Sequence, residues 1–566
     1  MKEAEKGMKF GVLCSRAYVA EWEMKAVHHL LALPDASLAV LVRIDIGENR
    51  AVENGAWWWK GYLKWCYNPQ GLRQASGLEA LAPQASRLVC LAQYAADGTL
   101  QLYETDVAAI AGHQLDFVLS FAEAPVSGAI AQATRHGVWA FQWGAHSAAV
   151  HQAIGMEETR QGQPVTTASL CRLSSSGTAT VLKQGVFRTA LHSPAATADR
   201  LYTECAHWPA ELGQQLLAGA AVTASAAAPA ATPAARPALP VFLARLAQHK
   251  LRDLCDTFLQ ADQWNMGVVD RPVQDFLRPE NLRGAAVDAP LLPDRHVFYA
   301  DCFARQEASG SVVYFERYDY RVRRGTIARL AYPWPAHEEP RDVLSFPFHL
   351  SYPFLHGPYC IPEAWITNGV RMYDLRKPVT DPAEGQLLLS VQGVDTTLLE
   401  HEGRYWLFYA RMDRDPMLNL FISYADTLDG PWHDHPQNPV KTDVRGARPA
   451  GPFFKEGPRL YRPGQDCALD YGHGITVYEV LTLTPTDYAE REVARLTSPH
   501  PDYPDGLHTI AALDDNRTLL DFKRRRFIPF ATLSALWKPV SALLYGKQGR
   551  RKPPVVASAT AASQGC

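Results

Sequence analysis

Over the first 190 residues short apolar runs alternate with stretches of helical period. KFGVLC, LAVLVRID, LDFVLSFA and GVWAFQW read as strands, and AEWEMKAVHHLLAL and SGAIAQATRHG read as helices between them. Such alternation predicts a parallel sheet covered by helices, a Rossmann-like layer. After Trp143 the runs TTASLCRL and TATVLKQGVF, separated by Ser-Ser-Ser-Gly, change to period two and predict an appended antiparallel hairpin. Residues 219–240, GAAVTASAAAPAATPAARPALP, hold no large apolar side chain early enough to anchor them and read as a linker. Beyond it Leu243, Leu246, Leu251, Leu254 and Phe258 recur at helical spacing and predict a connecting helix over 241–262.

From there the helical period fades and a repeat takes over. YADCFARQEASGSVVYFERYDY, SYPFLHGPYCIPEAWI, VDTTLLEHEGRYWLFYARM and ARPAGPFFKEGPRLYRPGQD each run from a polar start through an apolar strand and a Gly-containing turn to an aromatic return strand. Their starts lie roughly 40 to 55 residues apart, the period of a four-stranded propeller blade. DQWNMGVVD before them and GLHTIAALDDNRTLLDF after them complete a ring of five. The expected fold is multidomain: an α/β Rossmann-like domain over 1–218, then an all-β five-bladed propeller over 263–526, then a basic and apolar segment with a tail over 527–566.

Composition narrows the partners. Among 566 residues, 56 basic and 59 acidic side chains leave a formal charge of −3, which supplies no basic face for nucleic acid. The ten cysteines stand singly, without a C-x-x-C pair, as suits a reducing cytoplasm. The N-terminal apolar run is too short for a signal-peptide core, and no stretch reaches the roughly 20 apolar residues of a membrane span. The expected location is cytoplasmic. KRRRFIPFATLSALWKPVSALLYGKQGRRK, apolar between basic clusters, is compatible with peripheral contact at the inner face of a membrane and equally with a segment docked on the protein. AWWWKGYLKW, residues 56–65, suits a sugar platform, a membrane-interface anchor or an inter-domain contact.

The chemistry gathers in the propeller. The first strand of each blade lines the central channel, and an antiparallel return strand brings its last residues back beside the first. Asp301 is thus expected beside Glu316, Tyr352 beside Glu363, Asp395 beside Arg411, and Arg448 beside Gln465 and Asp466, with His508 in the closing blade and Trp264 or Tyr352 as sugar-stacking surfaces. Crowded carboxylates raise some pKa values while arginines depress others, which places an acid and a base in one pocket. Glycosyl cleavage or transfer needs that pair. Asp301 and Asp395 also suit strand-initial turns, and Arg411, Arg448 and Asp466 suit inter-blade ion pairs. Glu363, after Pro362 in an apolar strand, fits scaffold least. No spacing is diagnostic of a metal; a channel ion held by Asp or His is the one arrangement left open.

The runs Ala300-Asp301-Cys302-Phe303, Ser351-Tyr352-Pro353-Phe354, Ile361-Pro362-Glu363, Asp395-Thr396-Thr397-Leu398, Arg448-Pro449-Ala450-Gly451 and Tyr461-Arg462-Pro463-Gly464-Gln465-Asp466 resemble the propeller at the N-terminus of plant glucosamine inositolphosphorylceramide transferases and, more distantly, that of family 43 glycoside hydrolases. The hydrolase resemblance implies Asp301 as base, Glu363 as acid and Asp395 as the group tuning the acid. Arginines at the mouth would suit the phosphate of a nucleotide-sugar or phosphate-linked sugar donor.

His136-Gly137-Val138-Trp139-Ala140-Phe141-Gln142-Trp143-Gly144 resembles the formyltransferase N-terminal fold, where Asn-x-His and a later Asp handle a folate-borne formyl group. Here those positions read Ala140, Gln142 and Ser175, so folate and formyl transfer are not expected; His146 just downstream could in principle replace the missing histidine, but a lone loop histidine is more often solvated. The expected activity is glycosyl transfer in glycan or glycolipid assembly. Glycoside hydrolysis, a non-catalytic glycan-binding scaffold, and residual formyl or acyl transfer by the first domain are the alternatives.

Overall fold

The helix Leu239–Leu259 divides the chain into two sets of sheets. The computed structural model describes residues 7–46, 57–77, 83–144, 154–219, 226–227 and 239–527, less positions 177, 283, 336 and 337. His146, nearly all of the linker and the segment 528–566 lie outside the described residues.

Before the helix, five parallel strands lie in the order Val138–Trp143, Phe117–Phe121, Met8–Cys14, Ala36–Asp45, Ser86–Tyr94. Their near-continuous apolar character fits a sheet covered on both faces, and two separate buried clusters flank it. The helix Glu21–Leu31 covers one face through Trp22, Ala26, Val27 and Leu30. The hairpin Val165–Leu173 with Ala179–Arg188 extends one edge antiparallel to Val138–Trp143, and Leu100–Leu102 and Val126–Ser127 extend the other. The parallel layer and its appended hairpin are both present, but within a ten-stranded mixed sheet curled into a half-barrel. SGAIAQATRHG forms only the short 3-10 turn Gly128–Gln132, because Ile130 alone is buried and no apolar stripe exists to seat a helix. Residues 57–65 form a helix whose Trp59 is buried and packs 5.5 Å from Phe242 of the connecting helix, while Trp65 is exposed.

After the helix come five four-stranded blades, one of them with an extra short strand. Blade 1 is Val297–Glu307, Gly310–Asp319, Arg324–Tyr332 and Arg341–Leu344; blade 2 begins at Ser351–His356, blade 3 at Gly393–His401, and blade 4 spans Phe454–Glu456 to Tyr488–Leu496. Blade 5 closes the ring: Gln260–Val269, the first strand of the domain, pairs along its length with the last, Thr518–Phe527. Strands from both ends of the domain in one sheet leave the ring no free seam.

The two halves share a core. Phe187 and Trp208 of the first half are buried in one cluster with Leu418, Val444 and Cys467 of the propeller. Val444 N donates to Val186 O at 2.9 Å, joining the edge strand of the half-barrel to the propeller. Beside it Arg414 Nε lies 3.2 Å from Glu204 and Arg414 Nη2 3.0 Å from Glu211, Asn419 donates to Glu204 at 3.0 Å, and Lys183 stands 2.7 Å from Glu211.

Candidate active site

Blades 1 to 3 start with the same backbone irregularity, and blade 4 has a positive-φ glycine at the corresponding place. Asp301 has φ 52°, Tyr352 43°, Asp395 48° and Gly451 123°, and the strand register slips at Ala300/Phe303, Ser351/Phe354 and Val394/Thr397. A left-handed residue in a bulge turns its own N–H out of the ladder, and a non-glycine residue holds that conformation only when its surroundings impose it. Here the displaced amides are all satisfied by side chains. Asp301 N donates to Asp521 Oδ2 at 3.0 Å, Tyr352 N to Asp301 Oδ2 at 3.1 Å, Asp395 N to Glu363 Oε2 at 3.3 Å, and Gly451 N to Tyr352 Oη at 2.7 Å.

A second ring of side chains comes from the return strands. Glu316 faces Ala300, Glu363 faces Ser351, Gln465 N donates to Arg448 O, and Asp521 N donates to Thr509 O; blade 3 has Ala410 in this place. The two rings bring five carboxylates, Asp301, Glu316, Glu363, Asp395 and Asp521, into one buried cluster with Arg448 and His508. Asp301, Glu316, Glu363 and Arg448 keep 4%, 6%, 7% and 8% of their surface, against 0% for Asp521 and 1% for Asp395, so what little exposure the cluster has lies on the first four.

The cations divide the cluster. Arg448 Nε donates to Asp395 Oδ2 at 2.6 Å and its Nη2 lies 3.6 Å from Glu363 Oε2; Gln465 also donates to Asp395 Oδ2 at 2.6 Å. His508 Nδ1 lies 2.5 Å from Asp521 Oδ2 and its Nε2 3.6 Å from Asp301 Oδ1. Burial, reinforced by Asp395, pushes the Glu363 carboxyl well above the usual carboxylate range in spite of Arg448. Burial and the neighbouring acids do the same to Glu316. Asp301 is pushed up only to about 6, burial being offset in part by His508. Burial works against a charge on His508, but Asp521 and Asp301 outweigh it and raise its pKa; burial likewise works against the charge on Asp521, which His508 keeps below the ordinary range. The cluster therefore sets Glu363, which holds its proton the more tightly, together with Asp301, which gives its proton up at a lower pH.

Asp301, His508 and Asp521 offer ligand atoms within 4.8 Å of one another. The two carboxylates raise the pKa of His508, which works against its binding a metal, and Asp521 already accepts the amides of Asp301, His508 and Thr509.

Residues 334–501 match the family model described as glucosamine inositolphosphorylceramide transferase 1, N-terminal. The propeller is similar to part of those transferases. The glucosamine inositolphosphorylceramide transferase 1 of Oryza sativa subsp. indica is 30% identical over 204 residues, 34% of this chain and 27% of that protein. That of Arabidopsis thaliana is 31% identical over 210 residues, 35% of this chain and 27% of that protein. The chain thus spans about a quarter of the length of the curated relatives it matches. A thermostable family-43 glycoside hydrolase aligns over 36% of this chain and 78% of its own at 12% identity and a TM-score of 0.28, too low to bear on activity.

Several expected positions fall elsewhere. Arg411 is not in the cluster: it bends two residues along its own chain to Asp413, 2.6 Å away, and lies over the Phe421 ring. Asp466 accepts the Ala468 amide in a turn, because alternation along the strand lets only one of Gln465 and Asp466 face the axis. Trp264 offers no open face to a sugar: it is buried and stacked on His508 at 3.9 Å. Tyr352 is fully buried with its hydroxyl bonded to Thr397 and Gly451. Residues missed in the sequence are Asp521, legible as the return-strand position of the closing blade, and two outside the repeat. His349 Nε2 stands 3.7 Å from Glu316, and the Tyr471 ring lies 5.1 Å from the Arg448 guanidinium. In the half-barrel, Ala140 is buried, Gln142 is partly buried on the same strand, and Ser175 is exposed in the hairpin turn.

Proposed function

We propose that the propeller mouth carries out glycosyl transfer in glycan or glycolipid assembly. The observation that carries this reading is the pairing, in one buried cluster, of Glu363, whose pKa is raised well above the usual carboxylate range, with Asp301, which is raised only to about 6. Glu363 gives its proton to the departing oxygen as the anomeric bond breaks, and Asp301 takes the proton of the acceptor hydroxyl as the new bond forms. Asp395, held by Arg448 and Gln465, fixes the Glu363 carboxyl through its backbone amide and its charge. The names of the relatives, transferases of a glycolipid, support transfer over hydrolysis.

We read the half-barrel as a formyltransferase-like fold whose Ala140, Gln142 and Ser175 leave it without formyl-transfer chemistry. Its part in this scheme is accessory, helping to enclose the site. The test is turnover of a panel of nucleotide sugars and lipid-phosphate sugars by wild type and Glu363→Gln. A loss of about 10²-fold or more is expected; equal turnover by both sinks the assignment.

A further inference from the structure

A cavity of roughly 1090 Å³ opens where the half-barrel, the connecting helix and the propeller meet. It is at the upper end of small-ligand sites, with room for a sugar and an attached group. None of the clustered carboxylates lines it, but two of its lining residues lead to the cluster through one neighbour each. Tyr318 lines it and sits 5.8 Å from the ring of His349, which touches Glu316; Asp470 lines it and is followed by Tyr471, which lies over Arg448.

Five arginines and five aspartates line it, so the formal charge balances, but the pairing is uneven. Asp262 stands 3.8 Å from Lys523. Asp470 is taken by Lys523 at 3.1 Å and by Arg525, Asp253 by His192 at 3.3 Å, and Asp256 by Arg252 at 3.7 Å. Asp505 accepts the Arg525 amide at 2.7 Å, and Arg200 is turned to Asp415. The guanidinium of Arg188, partly buried on the last long strand of the half-barrel, makes no hydrogen bond or close ion pair among the described residues, nor does that of Arg323 at the exposed rim. Burial pulls the Arg188 guanidinium below its ordinary range, and Asp470 offsets only part of this. A partly buried, unpaired guanidinium facing a cavity is a costly arrangement that an anion would relieve. The arginines of the propeller that the sequence offers for a phosphate, Arg411 and Arg448, are both committed to carboxylates.

We propose that this inter-domain cavity seats the phosphate or diphosphate of the glycosyl substrate on Arg188, with Arg323 at its rim. This rests on the glycosyl-transfer reading and gives the half-barrel a role in it: one edge strand supplies the anion-binding residue for a reaction whose carboxylates stand in the propeller. A guanidinium fork matches phosphate oxygens, and one such contact accounts for about tenfold in affinity or more.

The test is calorimetric binding to the full chain of three probes: inorganic pyrophosphate, uridine diphosphate as the nucleotide source, and glycerophosphoinositol as the lipid-headgroup source. Binding of at least one probe at about 1 mM or below is expected. Arg188→Gln should weaken it about tenfold, Arg323→Gln a few-fold, and Glu363→Gln not at all. Stronger binding of uridine diphosphate assigns the phosphate to a nucleotide donor, and stronger binding of glycerophosphoinositol assigns it to a lipid. No binding of any probe by wild type overturns the proposal. So does binding that Arg323→Gln leaves unchanged while Arg188→Gln is either unchanged or unfolded. Phosphate binding in a protein that turns over no glycosyl donor leaves the anion site standing and removes the glycosyl-transfer reading instead.

Discussion

Arg448 Nε donates to Asp395 Oδ2 at 2.6 Å while its other arm stands 3.6 Å from Glu363, so one guanidinium from the start of blade 4 serves carboxylates of blades 3 and 2. All three groups are buried. Removing the cation strands the Asp395 carboxylate in the interior, at a cost of about 3–5 kcal/mol. Arg448→Met should therefore lower the thermal unfolding midpoint strongly at pH 7. Arg448→Lys, a point charge without the fork, should recover part of the loss. A midpoint unchanged in Arg448→Met contradicts this reading of the cluster.

Glu316 is the carboxylate with the least compensation. Its folded pKa is raised by burial and by the acids around it, so the native state keeps a proton that the unfolded chain gives up above the ordinary value of 4.5. Stability is lost as pH rises from there towards the folded value. Glu316→Gln removes that loss. Its unfolding midpoint should exceed the wild-type value by about 2 °C or more at pH 7, with the gap closing near pH 4.

His508 and Asp521 respond with opposite signs. The raised His508 contributes stability that is complete below its ordinary pKa of 6.5 and is lost as pH climbs through the folded value. The depressed Asp521 contributes stability that is present above 3.8 and is lost as pH falls through its folded value. Asp521→Asn should be destabilised most between those two ordinary values, by about 3 kcal/mol. Denaturant melts across pH 3 to 9 measure the difference, and a constant difference across that range would speak against a charge pair.

Much of this was legible in the chain and some was not, for identifiable reasons. Period-two alternation and the recurring Gly turn carried the five blades, and hairpin geometry carried the meeting of Asp301, Glu316 and Glu363. The bulge at the start of blades 1 to 3 leaves no residue signature: Asp301, Tyr352 and Asp395 share a conformation, not a side chain. For that reason the inward amides and the fate of Arg411 stayed hidden. The strand Ser86–Tyr94 escaped because Val89 and Leu91 are exposed while Cys90 and Ala92 are buried, so its two faces read alike. His349 and Tyr471 stand on loops outside any repeat.

The junction of the two halves rests on a small buried charge group, Arg414 with Glu204 and Glu211, beneath a shared apolar core. Arg414→Ala leaves both glutamates without their arginine. Scanning calorimetry should show the single wild-type transition broaden or split into two, the half-barrel melting separately from the propeller. A single transition merely shifted to lower temperature would mean that the apolar core alone couples them.

The central claim is that Asp301 works as a base and Glu363 as an acid, and the pH dependence of kcat/KM on the glycosyl substrate addresses it most directly. Asp301 must be ionised, so the rate should climb through an apparent pKa of about 6. Glu363 must hold its proton, so the rate should fall again once pH passes the raised value of that group, and in Glu363→Gln the falling limb should vanish with most of the activity. A profile flat from pH 5 to 8, or one that Glu363→Gln leaves unaltered, would contradict the account.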